Sequence, residues 1–520
     1  MRQNIAINFF SPVHMGKGVD AATGLRFACV TENPFVLEVG TEPFPGFQTN
    51  EAPLANVVDL LAQDGEQLDR VYCLVTPQCI SRAMGGENSD LLVIENEARR
   101  IYPSPFDFWC TRMKRLRPAL TEAIFIPILL RYREDALIED LEGHVASLTE
   151  RIKADAGGFA AWGDCHIYAD ITGGARYVNM MMTSVLQFLQ YDGMQIEKML
   201  YADFHTLSQE NRIFDVRAAG DVYKLVAGAD AFVSYGISRT IEEYFGYDAA
   251  TGRAAKPIGS ALKDVLGAMH TFSDVIQICQ TGNVPHALDG LSEALAAFLE
   301  MPEEERTVDD RMFMQIIDTI TEGYGALLAV ADGETERYEV IIRWCAEKGL
   351  LQQAMTFATE WLPVCFIRRK IVYPLPMLRS CARSAVDRMH PGWMQNFIIS
   401  PNLYWNAIQE RKKKNDPIVL QLGLEKCTFQ QGDPNSSEAR WAAWQDTWQQ
   451  LLEKVEVVRT DCGKSLMLDC LRTHFFLRER RNLMNHAIAE NVSRREIGVL
   501  LDDALTALAA ATDRIQKGVM

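Results

Sequence analysis

Between residues 5 and 202, short apolar runs alternate with segments long enough to form a helix, and that alternation leaves few folds open. Ile5 to Phe10, Val71 to Val75, Ala123 to Ile128, Cys165 to Ala169 and Lys198 to Ala202 read as buried strands. Leu54 to Leu61, Glu134 to Lys153 and Val178 to Gln190 read as helices between them. Strands that are apolar on both faces belong in a parallel sheet covered by helices on both sides. Residues 211–217 read as a last strand. From Val222 onward the apolar positions recur at helical spacing, with few further strand signals. The expected layout is an α/β unit, Rossmann-like with a mostly parallel sheet, over residues 1–220, and an all-α region over 221–520.

Composition narrows the function. At 520 residues the chain exceeds what one ordinary core serves. A formal net charge of −17 excludes a general nucleic-acid coating protein, because binding through phosphates needs a basic footprint; no DNA partner is expected. The apolar run ending at Phe10 is too short for a secretory core, and no apolar stretch is long enough to span a membrane. The twelve cysteines form no Cys-x2-Cys pair of the kind a zinc site needs, and Cys73, Cys165 and Cys279 sit in apolar runs. The expectation is a cytoplasmic protein with reduced thiols and no structural metal.

In a doubly wound sheet, ligands bind beyond the C-terminal strand ends. Three stretches fall there: Ser11 to Gly18, with Ser11, His14 and Gly16; Thr76 after the second strand; and Asp170-Ile171-Thr172-Gly173-Gly174-Ala175-Arg176 after the fourth. Gly173 and Gly174 allow backbone amides close to a phosphate or ribose. Thr172 offers a hydroxyl, and Arg176 brings positive charge to the next helix start. The loop lacks the Gly-Lys-Ser/Thr ending of a Walker loop and is not Gly-x-Gly-x-x-Gly, which argues against an ordinary dinucleotide enzyme. His14 reads either as a ligand contact or as a surface loop residue. Met180-Met181-Met182 reads as core filling inside a helix.

Near the C-terminus, Leu477 to Ala487 places Phe476, Leu477, Leu483, Met484 and Ala487 on one helical side and Arg478, Arg481, Asn482, Asn485 and His486 on the other. A histidine can move protons near neutral pH, and an arginine can hold the charge that develops on phosphorus when a ribose 2′-hydroxyl attacks it. Asn482 precedes His486 by one turn and can orient it. Arg481 lies about 140° from His486 around an ideal helix, so two symmetry-related helices would complete such a site more readily than one. His474, on the same helix without this pattern, reads as structural. Ser493-Arg494-Arg495-Glu496 reads as a capping box, and Glu410 to Asn415 as a basic run that is either a solvated loop or the lining of an RNA path.

These motifs resemble a known family. Asp170, Thr172, Gly173 and Gly174 resemble the Asp-x-Thr-Gly-Gly motif of CARF domains, the Rossmann-like sensors of cyclic oligoadenylate in type III CRISPR systems. Arg481-Asn482 with His486 resembles the Arg-x4-6-His signature of HEPN ribonucleases. Ala227 to Gly236 resembles the helix by which such CARF–HEPN proteins pass from sensor to effector, and Trp344 to Phe357 resembles a helix pair of the same family whose residues pack. The first loop departs from the family pattern, with Pro12 and His14 in place of a Gly-rich turn. The resemblance implies a homodimeric endoribonuclease of antiviral defence, acting on single-stranded RNA without metal and leaving 2′,3′-cyclic phosphates. No cofactor is implied; the activator is a cyclic oligoadenylate, with cyclic tetra-adenylate the first ring size to expect. Arg481, Asn482 and His486 would form a composite site at the dimer interface, and the Thr172 loop would hold the activator and cleave it slowly. The other reading is a nucleotide-sensing regulator whose helical domain is inert.

Overall fold

The structure, a computed structural model, describes residues 2–10, 19–40, 42–86, 90–130, 140–157, 159–173, 176–203, 211–329, 334–374, 399–415, 417, 429, 432–433, 436–453, 458–485 and 493–518. The chain divides into two compact units, residues 1–222 and 223–520, a mostly parallel α/β unit and a helical one. The division falls inside one helix, Arg217–Tyr235. Among the described residues no helix is long and apolar enough to cross a membrane.

The first unit contains strands β1 (Gln3–Phe9), β2 (Phe27–Cys29), β3 (Asn33–Val36), β4 (Phe44–Gly46), β5 (Arg70–Val75), β6 (Leu91–Glu95), β7 (Ala98–Tyr102), β8 (Ile124–Leu129), β9 (Cys165–Asp170), β10 (Gln195–Asp203) and β11 (Asn211–Asp215). Its helices are α1 (Glu51–Gln63), α2 (Pro105–Leu116), α3 (Leu141–Asp155), α4 (Arg176–Tyr191) and the start of α5 (Arg217–Tyr235). The main sheet runs β4-β3-β11-β10-β9-β1-β5-β8, with β10, β9, β1, β5 and β8 parallel. The chain winds outward from β1 through β5 to β8. It then returns to β9 on the other side of β1 and continues to β10, so strand order reverses between β1 and β9.

Side-chain alternation divides the core between the two faces. Ile5, Ile7 and Phe9 of β1 pack with Ile152 of α3 and with Val178, Met181 and Met182 of α4. Ala6, Phe10, Val71 and Tyr168 pack with Leu54 and Val58 of α1 and with Trp109 and Met113 of α2. Met180 departs from the sequence reading: it is 72% exposed while Met181 and Met182 are buried, because three successive helical positions cannot share one face.

A three-stranded sheet, β2-β6-β7, and helix α2 were not legible beforehand. Ser104 starts α2 by accepting the Asp107 N–H, with Pro105 at the first helical position. Arg112 of α2 is 1% exposed and ties these parts together. It bonds both carboxylate oxygens of Glu51 at 3.2 Å, Glu95 at 2.5 Å, Glu32 at 3.0 Å and the Pro45 carbonyl at 2.7 Å.

The second unit comprises the rest of α5 with α6 (Arg239–Phe245), α7 (Ser260–Gln277), α8 (Val284–Glu300), α9 (Val308–Leu328), α10 (Glu334–Glu347), α11 (Leu351–Arg368), α12 (Pro401–Lys413), α13 (Ser437–Leu452), α14 (Lys464–Asn485) and α15 (Arg494–Gly518). Two short ladders, Tyr247–Asp248 with Arg253–Ala254 and Tyr373–Pro374 with Val458–Arg459, interrupt the helices. Phe232, Phe272, Tyr324 and Trp344 form the aromatic centre. The Tyr324 hydroxyl donates to the Phe232 carbonyl at 2.7 Å, near the end of α5, as a second bond to an oxygen that also accepts the Gly236 N–H at 2.8 Å. The basic run from Glu410 is mostly the exposed last turn of α12 rather than a loop, and basic residues there complement the helix dipole.

Candidate functional sites

In each unit, residues singled out in the sequence lie among buried polar side chains. In the α/β unit the site lies where strand order reverses. Asn8 of β1 and Asp170 of β9 are register partners on adjacent parallel strands. By alternation both side chains face α1, on the side of Ala6 and Tyr168. Asn8 is 2% exposed, and neither its amide nitrogen nor its amide oxygen has a hydrogen-bond partner among the described residues. Asp170 is 5% exposed; Oδ1 accepts the Thr172 N–H at 2.8 Å, and Oδ2 has no partner among the described residues. Asn50, at the N-cap of α1, donates from Nδ2 to the Phe9 carbonyl at 3.4 Å and leaves Oδ1 unpartnered. Burial pushes the Asp170 carboxyl up to about 7, against the opposing pull of its bonds from Thr172.

Unpaired buried polar atoms are costly, roughly 1–3 kcal/mol each, and proteins hold few of them. Gathering three such side chains where strand order reverses is what a pocket for a polar ligand requires. Sequence reasoning missed Asn8 and Asn50. Asn8 was visible as the one polar residue in the apolar run Ile5 to Phe10.

The expected ligand residues separate into three groups. Thr172 lies at this site, but its hydroxyl accepts the Ala202 N–H at 2.7 Å and so braces the loop against β10. Gly173 is buried beside it. Thr76 follows β5 and is 6% exposed; its hydroxyl lies 3.2 Å from the Cys79 sulfur, within its own turn. Arg176 opens α4, with its side chain outside the described residues. Ser11, His14, Gly16 and Gly174 lie outside the described residues altogether.

In the helical unit the site is the C-terminal half of α14. Here the polar face is half-buried, because α14 packs against α11, α13 and α15. The Arg478 guanidinium lies over the Trp444 ring of α13, 5.4 Å from its centre, and burial lowers its pKa. Glu479 pairs with Arg440 of α13. Arg480 pairs with Glu496 of α15 at 2.5 Å, while Ser493 accepts the Glu496 N–H. The carboxylate of the expected capping box therefore serves a bridge between helices.

Arg481 donates from Nη1 to Glu360 of α11 at 3.0 Å and from Nη2 to the Asn482 side chain at 3.4 Å. Its Nε is buried without a partner among the described residues. His486 lies outside the described residues, and Asn485 closes α14 with its side chain likewise outside them. His474 is 2% exposed and donates from Nε2 to the Thr359 carbonyl at 3.0 Å. Burial, with Arg478 and Arg481 nearby, holds it neutral with a pKa of about 3.

No protein-family model matches the chain, and no curated protein matches it.

Proposed function

We propose that this chain is a cyclic-oligoadenylate-activated endoribonuclease, with the α/β unit as a CARF sensor and the helical unit as a HEPN effector. The sensor reading rests on one observation above all. Strands β1 and β9, whose following loops were expected to meet the ligand, are neighbours at the reversal of strand order, with Asn8 and Asp170 in register beneath them.

In the effector, a ribose 2′-oxygen attacks the adjacent phosphorus and the bond to the 5′-oxygen breaks. His486 handles the proton lost from the 2′-hydroxyl or the one gained by the departing 5′-oxygen, and Arg481 carries the charge on phosphorus. Asn482 orients the imidazole or a phosphate oxygen. A second copy of the chain supplies the other half of the cleft. The sensor's ligand acts by favouring the arrangement in which the two halves meet.

A second reading, a nucleotide-sensing regulator with an inert effector, draws support from the occupied Arg481 guanidinium. Titration with cyclic tri-, tetra- and hexa-adenylate, each paired with an RNA cleavage assay in chelator, separates the two. Ligand-dependent cutting supports the nuclease; tight binding without cutting supports the regulator.

A further inference from the structure

The partner that Arg481 already has in this chain points to how the nuclease rests. Glu360 lies on α11, a helix that carries Pro363 in its interior. A proline has no N–H to donate to the carbonyl four residues back, and its ring crowds that carbonyl. The carbonyl in question belongs to Thr359, and it accepts a bond from His474 of α14 instead. The next residue, Glu360, reaches Arg481 two turns further along α14. The turn of α11 before Pro363 is thus where two side chains of α14 dock, one neutral and one charged.

We infer that the Glu360 carboxylate occupies the phosphate subsite of Arg481 and holds the nuclease in its resting state. This rests on the ribonuclease reading. A carboxylate and a phosphate offer a guanidinium the same pair of anionic oxygens, so the two compete for one donor set. Arg481 presents Nη1 to Glu360, keeps Nε without an acceptor among the described residues, and has Asn482 on its other side. Glu360 and Arg481 are part-buried, 30% and 22% exposed, so the pair is screened less than one on the open surface. While it is formed, the cation is neutralised and a carboxylate stands where the RNA phosphate must come. Productive binding displaces Glu360.

The test is Glu360→Gln in the full-length chain. Glutamine keeps an oxygen acceptor for Arg481 and nearly the same volume, but removes the charge that excludes phosphate. Cleavage of labelled single-stranded RNA without activator is expected to rise about three- to tenfold, and cyclic tetra-adenylate to stimulate the variant less than the wild type. Glu360→Asp, which withdraws the carboxylate by one methylene, gives a smaller change in the same direction and serves if the glutamine variant does not fold. Binding of an RNA blocked by a 2′-deoxy substitution at the cleaved position is read in parallel and tightens in Glu360→Gln.

If the wild type cuts RNA and neither variant raises activator-free cutting or tightens binding, the resting role is overturned and the nuclease reading stands. If nothing cuts but Glu360→Gln binds the blocked RNA more tightly, the subsite assignment stands and the nuclease reading fails. A chain that neither cuts nor binds RNA overturns both.

Discussion

His474 donates to the carbonyl of Thr359 across 3.0 Å, and that carbonyl is open because Pro363 cannot donate to it. Two residues far apart in sequence thereby form one hydrogen bond that a plain helix would have kept to itself.

This relationship makes a coupling prediction. His474→Phe keeps an aromatic ring against Phe366 but leaves the carbonyl unpaired, and should destabilise the helical unit by about 1–3 kcal/mol. Pro363→Ala restores the missing N–H, so the same histidine change should cost less in that background by about 1 kcal/mol. Thermal unfolding of the four chains measures the difference; equal costs in both backgrounds would contradict it. The folded pKa of about 3 lies below the ordinary 6.5, so the folded state resists protonation. Stability from this residue is complete above pH 6.5 and declines as pH falls toward 3.

Asp170 behaves in the opposite sense. Its folded pKa, about 7, lies above the ordinary 3.8, so the folded state holds a proton that the unfolded chain gives up. Stability is therefore lost as pH rises from about 4 to 7, at up to about 1.4 kcal/mol per pH unit. Asp170→Asn keeps an oxygen to accept the Thr172 N–H and cannot ionise. Melting curves of the two proteins should draw apart between pH 5 and 7, the variant being the more stable, and run parallel above. A gap independent of pH would contradict this.

Arg112 should be the least replaceable side chain of the α/β unit. Arg112→Met removes the cation from a Glu51 carboxylate that is 0% exposed, and breaking such a pair from one side costs roughly 3–5 kcal/mol. Adding Glu51→Gln should recover part of that loss. Thermal unfolding of the single and double variants checks this; a loss below about 1 kcal/mol in the single variant would show the network to be dispensable.

The sequence carried the parallel strands clearly because each contains a short apolar run, and the long helices because their apolar positions recur every three or four residues. It carried the short strands β2, β3 and β4 poorly, since three or four residues give no period. In α14 the polar residues were legible as a face, but their environment was not. Trp444, Glu360 and Arg440 come from helices tens of residues away, and only packing shows that they cover it. At the strand ends, Thr172 was read as a ligand contact from its hydroxyl, yet the nearby β10 backbone takes that hydroxyl first. The polar groups left unpaired, Asn8 above all, sit one layer deeper, on the strand itself.

The most direct measurement is cleavage of end-labelled single-stranded RNA by the full-length chain in chelator, with and without cyclic tetra-adenylate, for the wild type and His486→Ala. The expected result is cutting that depends on the ligand, leaves 2′,3′-cyclic phosphate ends and falls by about 10²–10⁴ in the variant. Absence of ligand-dependent cutting with every ring size, or cutting undiminished in His486→Ala, would contradict it.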